Sequence, residues 1–386
     1  MPNPGEPLNI AVAGAGIAGL TASLCLARQG FPATVYENAD SFHEIGAGIQ
    51  LSPNAMHVLS RIGLDELVMA QAIEPEAIDI RDGPTATALT SIPLRQECRQ
   101  RYGAPYLVVH RADIMQVLLN AAHAEPLIRI RTGSAVGSVY PASDRIAFSV
   151  NGEDIQADIL LAADGVHSSI RKAMTGQAAQ ALGKTAWRAT LSDPDYDDVV
   201  AANRTGLWLG RGAHLVHYPL RAGRELNLVL IGDAEAESPH FLLDHFHASI
   251  RRLASPARWT PWPLLQVDPS AAWVNNRVVL LGDAAHAMLP TAAQGGAQAI
   301  EDAFVLAQCL ARHLPERAGD PASALARWEQ ARKPRVERIV RQANRNLDIY
   351  TMGGVAAAGR NLAIRLISGK QHLARFDWLY GWKPGT

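Results

Sequence analysis

A short, mostly apolar run from Asn9 to Ala13 gives way to a glycine-rich turn and then to a helical pattern from Ile17 to Gln29. Gly30 stops that helix and Ala33 to Glu37 reads as the next strand, so the order strand, turn, helix, strand makes a βαβ unit. Pro53 to Arg61 predicts a helix with proline at its first position. Tyr106 to His110 predicts a strand and Ala112 to Ala122 an amphipathic helix. Between them, from Pro75 to Glu97, β-branched residues alternate with polar ones and helix formers are few. Strands and turns follow from Ile128, with Asn151-Gly152 as a hairpin turn and Ile155 to Ala162 as one strand. From Gly183 to Val267 the pattern stays strand-like, with one helix interposed at Phe241 to Leu253. Arg277 to Leu281 is a buried strand and Gln298 to His313 an apolar helix. Ala322 to Asn346 is a long Arg-rich helix that Pro334 should kink or break. A dinucleotide-type α/β fold thus occurs in separated pieces around a strand-rich insertion, and a cleft is expected where the two units meet.

Composition removes several classes. The 386 residues are 48% hydrophobic, enough for a large core or for two to three ordinary domains. A net charge of −1 offers nothing to nucleic acid or to an anionic membrane. The Arg-rich stretch from Arg332 to Arg345 reads as a solvated helix face. Cys25, Cys98 and Cys309 form no CxxC pair and suit a reducing cytoplasm, and no metal site is expected. The N-terminal residues lack a signal-peptide pattern, and no apolar run is long enough to cross a bilayer.

Three motifs carry chemistry. Gly14-Ala15-Gly16-Ile17-Ala18-Gly19 lies between a strand and a helix, where glycines allow a tight turn and close backbone approach to a pyrophosphate. Glu37 ends the following strand, at the distance where a carboxylate accepts ribose hydroxyls. The second motif is Asp164-Gly165-Val166-His167-Ser168-Ser169-Ile170-Arg171, after a strand; alone it would be only a turn. The third begins at the strand end Gly282-Asp283-Ala284-Ala285-His286. It continues through Pro290 and Gln294-Gly295-Gly296-Ala297 to Glu301-Asp302. Small residues at 295–297 let a helix N-terminus approach a ligand.

In this order the three motifs resemble the FAD-dependent aromatic hydroxylases of the para-hydroxybenzoate hydroxylase type, over nearly the whole chain. Residues 46–64, 105–114, 185–191 and 206–221 are most similar to salicylate hydroxylases, 3-hydroxybenzoate 6-hydroxylases and 6-hydroxynicotinate 3-monooxygenases. The resemblance implies a Rossmann-like FAD-binding domain over residues 1–74, 98–180 and 270–320. It further implies a substrate-binding sheet over 75–97 and 181–269, and a C-terminal helical segment over 321–386. It implies non-covalent FAD on Gly14, Gly16, Ala18 and Gly19, with Glu37 and Asn38 at the adenosine ribose and Val136 at adenine. Arg111 would contact the flavin's phosphate or ribityl chain, Asp283 the ribityl hydroxyls, and Gly295, Gly296 and Ala297 the isoalloxazine. Asp164 would serve both FAD and a passing nicotinamide, since no second dinucleotide fingerprint exists for NAD(P)H. Gln50 stands where the 6-hydroxynicotinate enzymes tend to have His. Residues 263–268 lack the Asp-Arg pair common in relatives.

The activity implied is NAD(P)H-driven, O2-dependent hydroxylation of a small phenolic or N-heteroaromatic acid through a flavin C4a-hydroperoxide, by a monomer or homodimer. His214 and Tyr218 lie at i and i+4 of one strand and so share a face, with His217 opposite. The resemblance makes His214 the base that draws the phenol toward phenolate and Tyr218 its relay, with Gln294 beside them. The alternatives are a core hydrogen bond for His214 and plain packing for Tyr218. Gln50, Tyr106, Arg188 and Pro290 are the substrate-contact candidates. Arg188, mid-strand among apolar residues, needs either a substrate anion or a structural ion pair. His286 is expected to pack or hydrogen-bond near the dimethylbenzene edge of the flavin, although a covalent link there stays open. Two other functions fit the motifs. One is a flavin enzyme that oxidises or reduces without inserting oxygen, or that acts on a larger substrate such as an antibiotic, quinone precursor or polyketide; the other is a non-catalytic dinucleotide-binding protein.

Overall fold

The computed structural model describes residues 8–42, 48–142, 144–194, 200–314 and 320–385. Gly46 and Ala47, which open one of the resembling segments, lie outside them. The fully apolar run Ile10–Ala13 becomes the centre of a six-stranded sheet because it can be buried on both faces. Ala33–Tyr36 flanks it on one side and Ile159–Ala162 on the other, both parallel to it. Val278–Leu280 extends the parallel run next to Ile159–Ala162. The three chemical motifs therefore leave the C-terminal ends of three adjacent strands, although they are far apart in the chain. That edge of an open α/β sheet is where its ligands bind.

The second large sheet has seven strands. It runs from Thr260–Gln266 at one edge through Gln180–Ser192, Glu225–Asp233, His214–Leu220 and Thr205–Leu209 to Ala77–Asp82 and Ala88–Pro93. Strands from the early segment and from the long insertion thus share one sheet. The helix Pro53–Arg61 starts on proline as predicted. Asn151 and Gly152, both at positive φ, turn the hairpin between Arg145–Val150 and Glu153–Ala157.

Four predicted elements change. Ile155 to Ala162 is two strands in different sheets, parted at Asp158. That buried carboxylate accepts the Asn9 N–H at 2.8 Å and pairs with Arg145, which turns the chain from one sheet to the other. The interposed helix is two short ones, Pro239–Leu243 and Ala248–Ala254. Phe246 is buried between them, and the His247 ring caps the second. Pro334 does not break the long helix, which runs unbroken over Pro321–Tyr350. Pro334 faces solvent, while Arg332 and Arg335 are fastened on either side of it. The Arg-rich stretch is only in part a solvated face. Arg332 and Arg335 point inward, because Glu301 and Asp302 on the helix Gly295–His313 are fully buried and need cations. Among the described residues no helix is long and apolar enough to cross a membrane.

Candidate active site

Each glycine of the first motif has its own reason. Gly14 has φ +100°, and a Cβ there would sit 2.5 Å from the Ala163 carbonyl; one on Gly19 would lie 2.0 Å from the Gly14 carbonyl. These two glycines are required by the turn itself. Gly16 is different, because a Cβ there would meet nothing within 4 Å. Its surface opens into a cavity of about 400 Å³. Gly165 and Gly295 line the same cavity and are as open, with only Asp283 Oδ1 at 3.8 Å from the latter. Bare backbone at the end of three parallel strands and at two helix starts forms a cradle for an extended, anionic ligand.

The side chains around this cradle suit a dinucleotide. Glu37 accepts the N–H groups of Ala15 at 2.7 Å and Ala39 at 2.9 Å, which leaves each carboxylate oxygen lone-pair capacity for a hydroxyl. Asn38 is exposed beside it, and the Ser134 N–H bonds the Glu37 carbonyl at 2.7 Å, which brings Val136 past the same end of the sheet. Ala18 and Asp283 line the cavity, as does Arg111, which has no ion-pair partner among the described residues. Asp164 keeps one buried oxygen without a partner, and burial raises its carboxyl above the ordinary range. Arg171 holds this turn in place by donating to the carbonyls of Val166 at 2.7 Å and Ala284 at 3.1 Å, so the second motif is clamped to the third. Sequence reasoning quoted Arg171 without giving it this task; a buried arginine bonded only to backbone leaves no local pattern.

The helix Gly295–His313 begins directly on the cavity, with Gly295 and Gly296 lining it and Ala297 buried behind. Thr291 fixes the preceding Pro290 turn to the long helix by donating to the Ala343 carbonyl at 2.5 Å, and Asn346 donates to the Thr291 carbonyl at 3.0 Å. Gln294 was expected to act on the substrate, but its amide is used elsewhere. It donates to Ser52 Oγ at 2.9 Å and accepts from Asn54 and Gln298, so it positions the helix start. His286 packs and hydrogen-bonds as expected, but away from the cavity: it is wholly buried, 2.5 Å from Asp302 and 5.0 Å from the Trp273 ring, and is absent from the cavity lining. Behind both lies a buried ion network that the sequence did not disclose. Glu301 takes Arg332 at 2.6 Å and Arg335 at 2.8 Å, and Asp302 takes Arg332 at 2.7 Å. Burial works to raise both carboxyls, yet the adjoining cations overcome it and hold them below their ordinary values.

Past Gly295 the cavity continues under the seven-stranded sheet. His214, Val216 and Tyr218 line it from one strand, and His217 faces the other way, against Trp208. His214 is 1% exposed, its Nδ1 has no hydrogen-bond partner, and burial pushes the imidazole down to about 3. It is therefore neutral at physiological pH and bears a lone pair. Its ring packs edge-on against Tyr350 at 5.2 Å. Burial raises the Tyr218 phenol, and the guanidinium of Arg188 partly offsets that. Arg188 is half-buried, with no carboxylate in ion-pair range among the described residues, and its Nε has no partner. It lies under the exposed Trp262 ring, 5.6 Å from the centroid. The lateral row Arg188–Val229–Val216 runs between the rows of His214 and Tyr218. Tyr106 donates to Gln50 at 2.5 Å, and both line the cavity together with Pro290.

A dinucleotide cradle that opens directly onto a buried imidazole, phenol and unpaired guanidinium defines a flavoprotein oxidoreductase. A family model described as FAD binding domain matches residues 8–343, and the chain belongs to that family, as an FAD-dependent monooxygenase. It is 37% identical to 3-hydroxybenzoate 6-hydroxylase 1 of Aquipseudomonas alcaligenes over 97% of both chains. It is 32% identical to 6-hydroxynicotinate 3-monooxygenase of Bordetella bronchiseptica over 90% of this chain and 93% of the other. The fold matches that of Klebsiella pneumoniae HpxO complexed with FAD and uric acid, with a TM-score of 0.84, 22% identity and coverage of 97% and 96%.

Proposed function

We propose that the chain hydroxylates a small phenolic or N-heteroaromatic acid, with His214 as the group that draws off the ring hydroxyl's proton. The supporting observation is the pairing of a neutral, unpartnered His214 with an unpaired Arg188 on one wall of one cavity. A half-buried guanidinium without a counter-charge is costly, and a carboxylate-bearing ligand relieves that cost. Arg188 lies two strands from His214, roughly 10 Å across the sheet before side-chain reach is counted. One aromatic acid can therefore meet Arg188 with its carboxylate and His214 with its hydroxyl.

Gly14, Gly16, Glu37, Arg111 and Asp283 would hold FAD, which would supply the redox chemistry with NAD(P)H and O2. The protein's own task is to make the ring electron-rich. Only about a thousandth of a free phenol is ionised at neutral pH. His214 accepts the phenol proton as the ring becomes nucleophilic, and Tyr218, on the same face, orients that hydroxyl. The low dielectric that keeps His214 neutral also strengthens the resulting imidazolium–phenolate pair. The positive end of the helix Gly295–His313 faces the cofactor end of the cavity and favours negative charge there.

His214→Ala tests this reading. Product formed per NAD(P)H oxidised is expected to fall by roughly 10²-fold or more with FAD retained. It should recover as pH approaches the substrate phenol's own value. Unchanged coupling at neutral pH would make His214 a core histidine.

A further inference from the structure

The cavity does not end at His214. On the side of that strand away from Arg188 come Thr205–Leu209, Ala77–Asp82 and Ala88–Pro93, and the lining changes character there. Ile78, Ile80, Ile92 and Leu207 form the floor, with Thr205 as the one hydroxyl among the described lining residues of these three strands. Leu373, Phe376 and the ring of Tyr380, from the C-terminal segment, form the roof. No charged side chain lines this end among the described residues. Ile78 and Phe376 belong to the apolar cluster here yet remain only partly buried, so the cluster stops short of closing on itself.

Three strand spacings, roughly 14 Å, separate the His214 strand from the outermost one. A single aromatic ring covers only part of that distance. With its carboxylate at Arg188 and its hydroxyl at His214, it stops short of Ile78, Ile80 and Ile92, which line the same cavity. An empty apolar cavity is destabilising, and such cavities stay dry and accept hydrocarbon.

We infer that the substrate is a hydroxylated aromatic acid bearing an uncharged hydrocarbon substituent, which lies between Ile78, Ile80 and Ile92 below and Leu373 and Phe376 above. Because Arg188 and the apolar end flank the His214 strand on opposite sides, the substituent projects from the ring edge remote from the carboxylate. This inference rests on the aromatic-acid reading of the polar end.

The test uses the FAD-loaded enzyme and follows flavin absorbance during titration with 3-hydroxybenzoate, salicylate and their alkyl homologues, from methyl to hexyl, at each ring position. Dissociation constants are expected to fall roughly three- to fourfold per methylene for substituents remote from the carboxylate. Substituents adjacent to the carboxylate should give no such gain. Ile80→Trp, and separately Ile78→Phe, should abolish the chain-length dependence. A flat series at every ring position overturns the proposal, as does a series whose slope survives both substitutions. Plain acids that bind and turn over alongside a flat series remove only the substituent. If no acid, plain or substituted, perturbs the flavin or stimulates NAD(P)H oxidation, the aromatic-acid reading itself fails.

Discussion

His214 ties function to stability through a single proton. Burial holds its imidazole near 3 in the folded protein, against about 6.5 in an unfolded chain. Between those values the unfolded chain binds a proton that the folded one refuses. Stability should therefore fall as pH drops through that window, by up to about 1.4 kcal/mol per pH unit. Urea midpoints measured from pH 7.5 to 4.5 should decline in the wild type and decline less steeply in His214→Leu. Parallel slopes would mean that the folded imidazole is charged. The glycines give a second contrast at this scale. Gly16→Val places its side chain in open cavity and should abolish FAD retention while leaving the apoprotein folded. Gly19→Ala drives a methyl into the Gly14 carbonyl and should instead lower the apoprotein's thermal midpoint. Identical behaviour of the two variants would contradict the division of roles. The glycine spacing was legible because a turn against a strand end depends on neighbours in sequence. The tasks of Gln294 and Arg171 were not, since their partners lie up to 242 residues away.

At the scale of elements, the helices Gly295–His313 and Pro321–Tyr350 are joined by charge as well as by apolar packing. Removal of one partner from a buried pair leaves the other charged and desolvated, at a cost of about 3–5 kcal/mol. Arg332→Met is expected to lose about that much, measured by denaturant unfolding, because it leaves buried Asp302 with only the His286 ring and Glu301 with Arg335 as its one remaining cation. Arg341→Met removes a cation of the same helix that is largely exposed and only loosely paired with Glu337, and it should be nearly silent. Similar losses from both would show that the network is not truly desolvated. The sequence could not separate these two arginines. Charge along a helix reads as a solvated face unless the opposing element is known, and the buried Glu301-Asp302 step sits on another helix. The same limit applies to Pro334, whose local effect is a break and whose tertiary surroundings keep the helix whole.

Over the whole molecule, the parts set by local pattern were the most legible: the βαβ start, the Pro53 helix, the Asn151-Gly152 turn and the strand-rich insertion. The extent of the cavity was not, because its roof comes from Leu373, Phe376 and Tyr380, whose sequence carries no motif. The order of strands also bears on how the protein is made. The ligand edge of the six-stranded sheet needs Ile10–Ala13, Ile159–Ala162 and Val278–Leu280 side by side. Arg335, which bonds Glu301 and also the carbonyls of Trp378 and Leu379, joins later still. A ribosome must therefore deliver most of the chain before the first motif has neighbours to shape it. Through most of translation the nascent protein has a nucleotide fingerprint but no nucleotide pocket, so capture of the cofactor belongs to the closing moments of synthesis or after release.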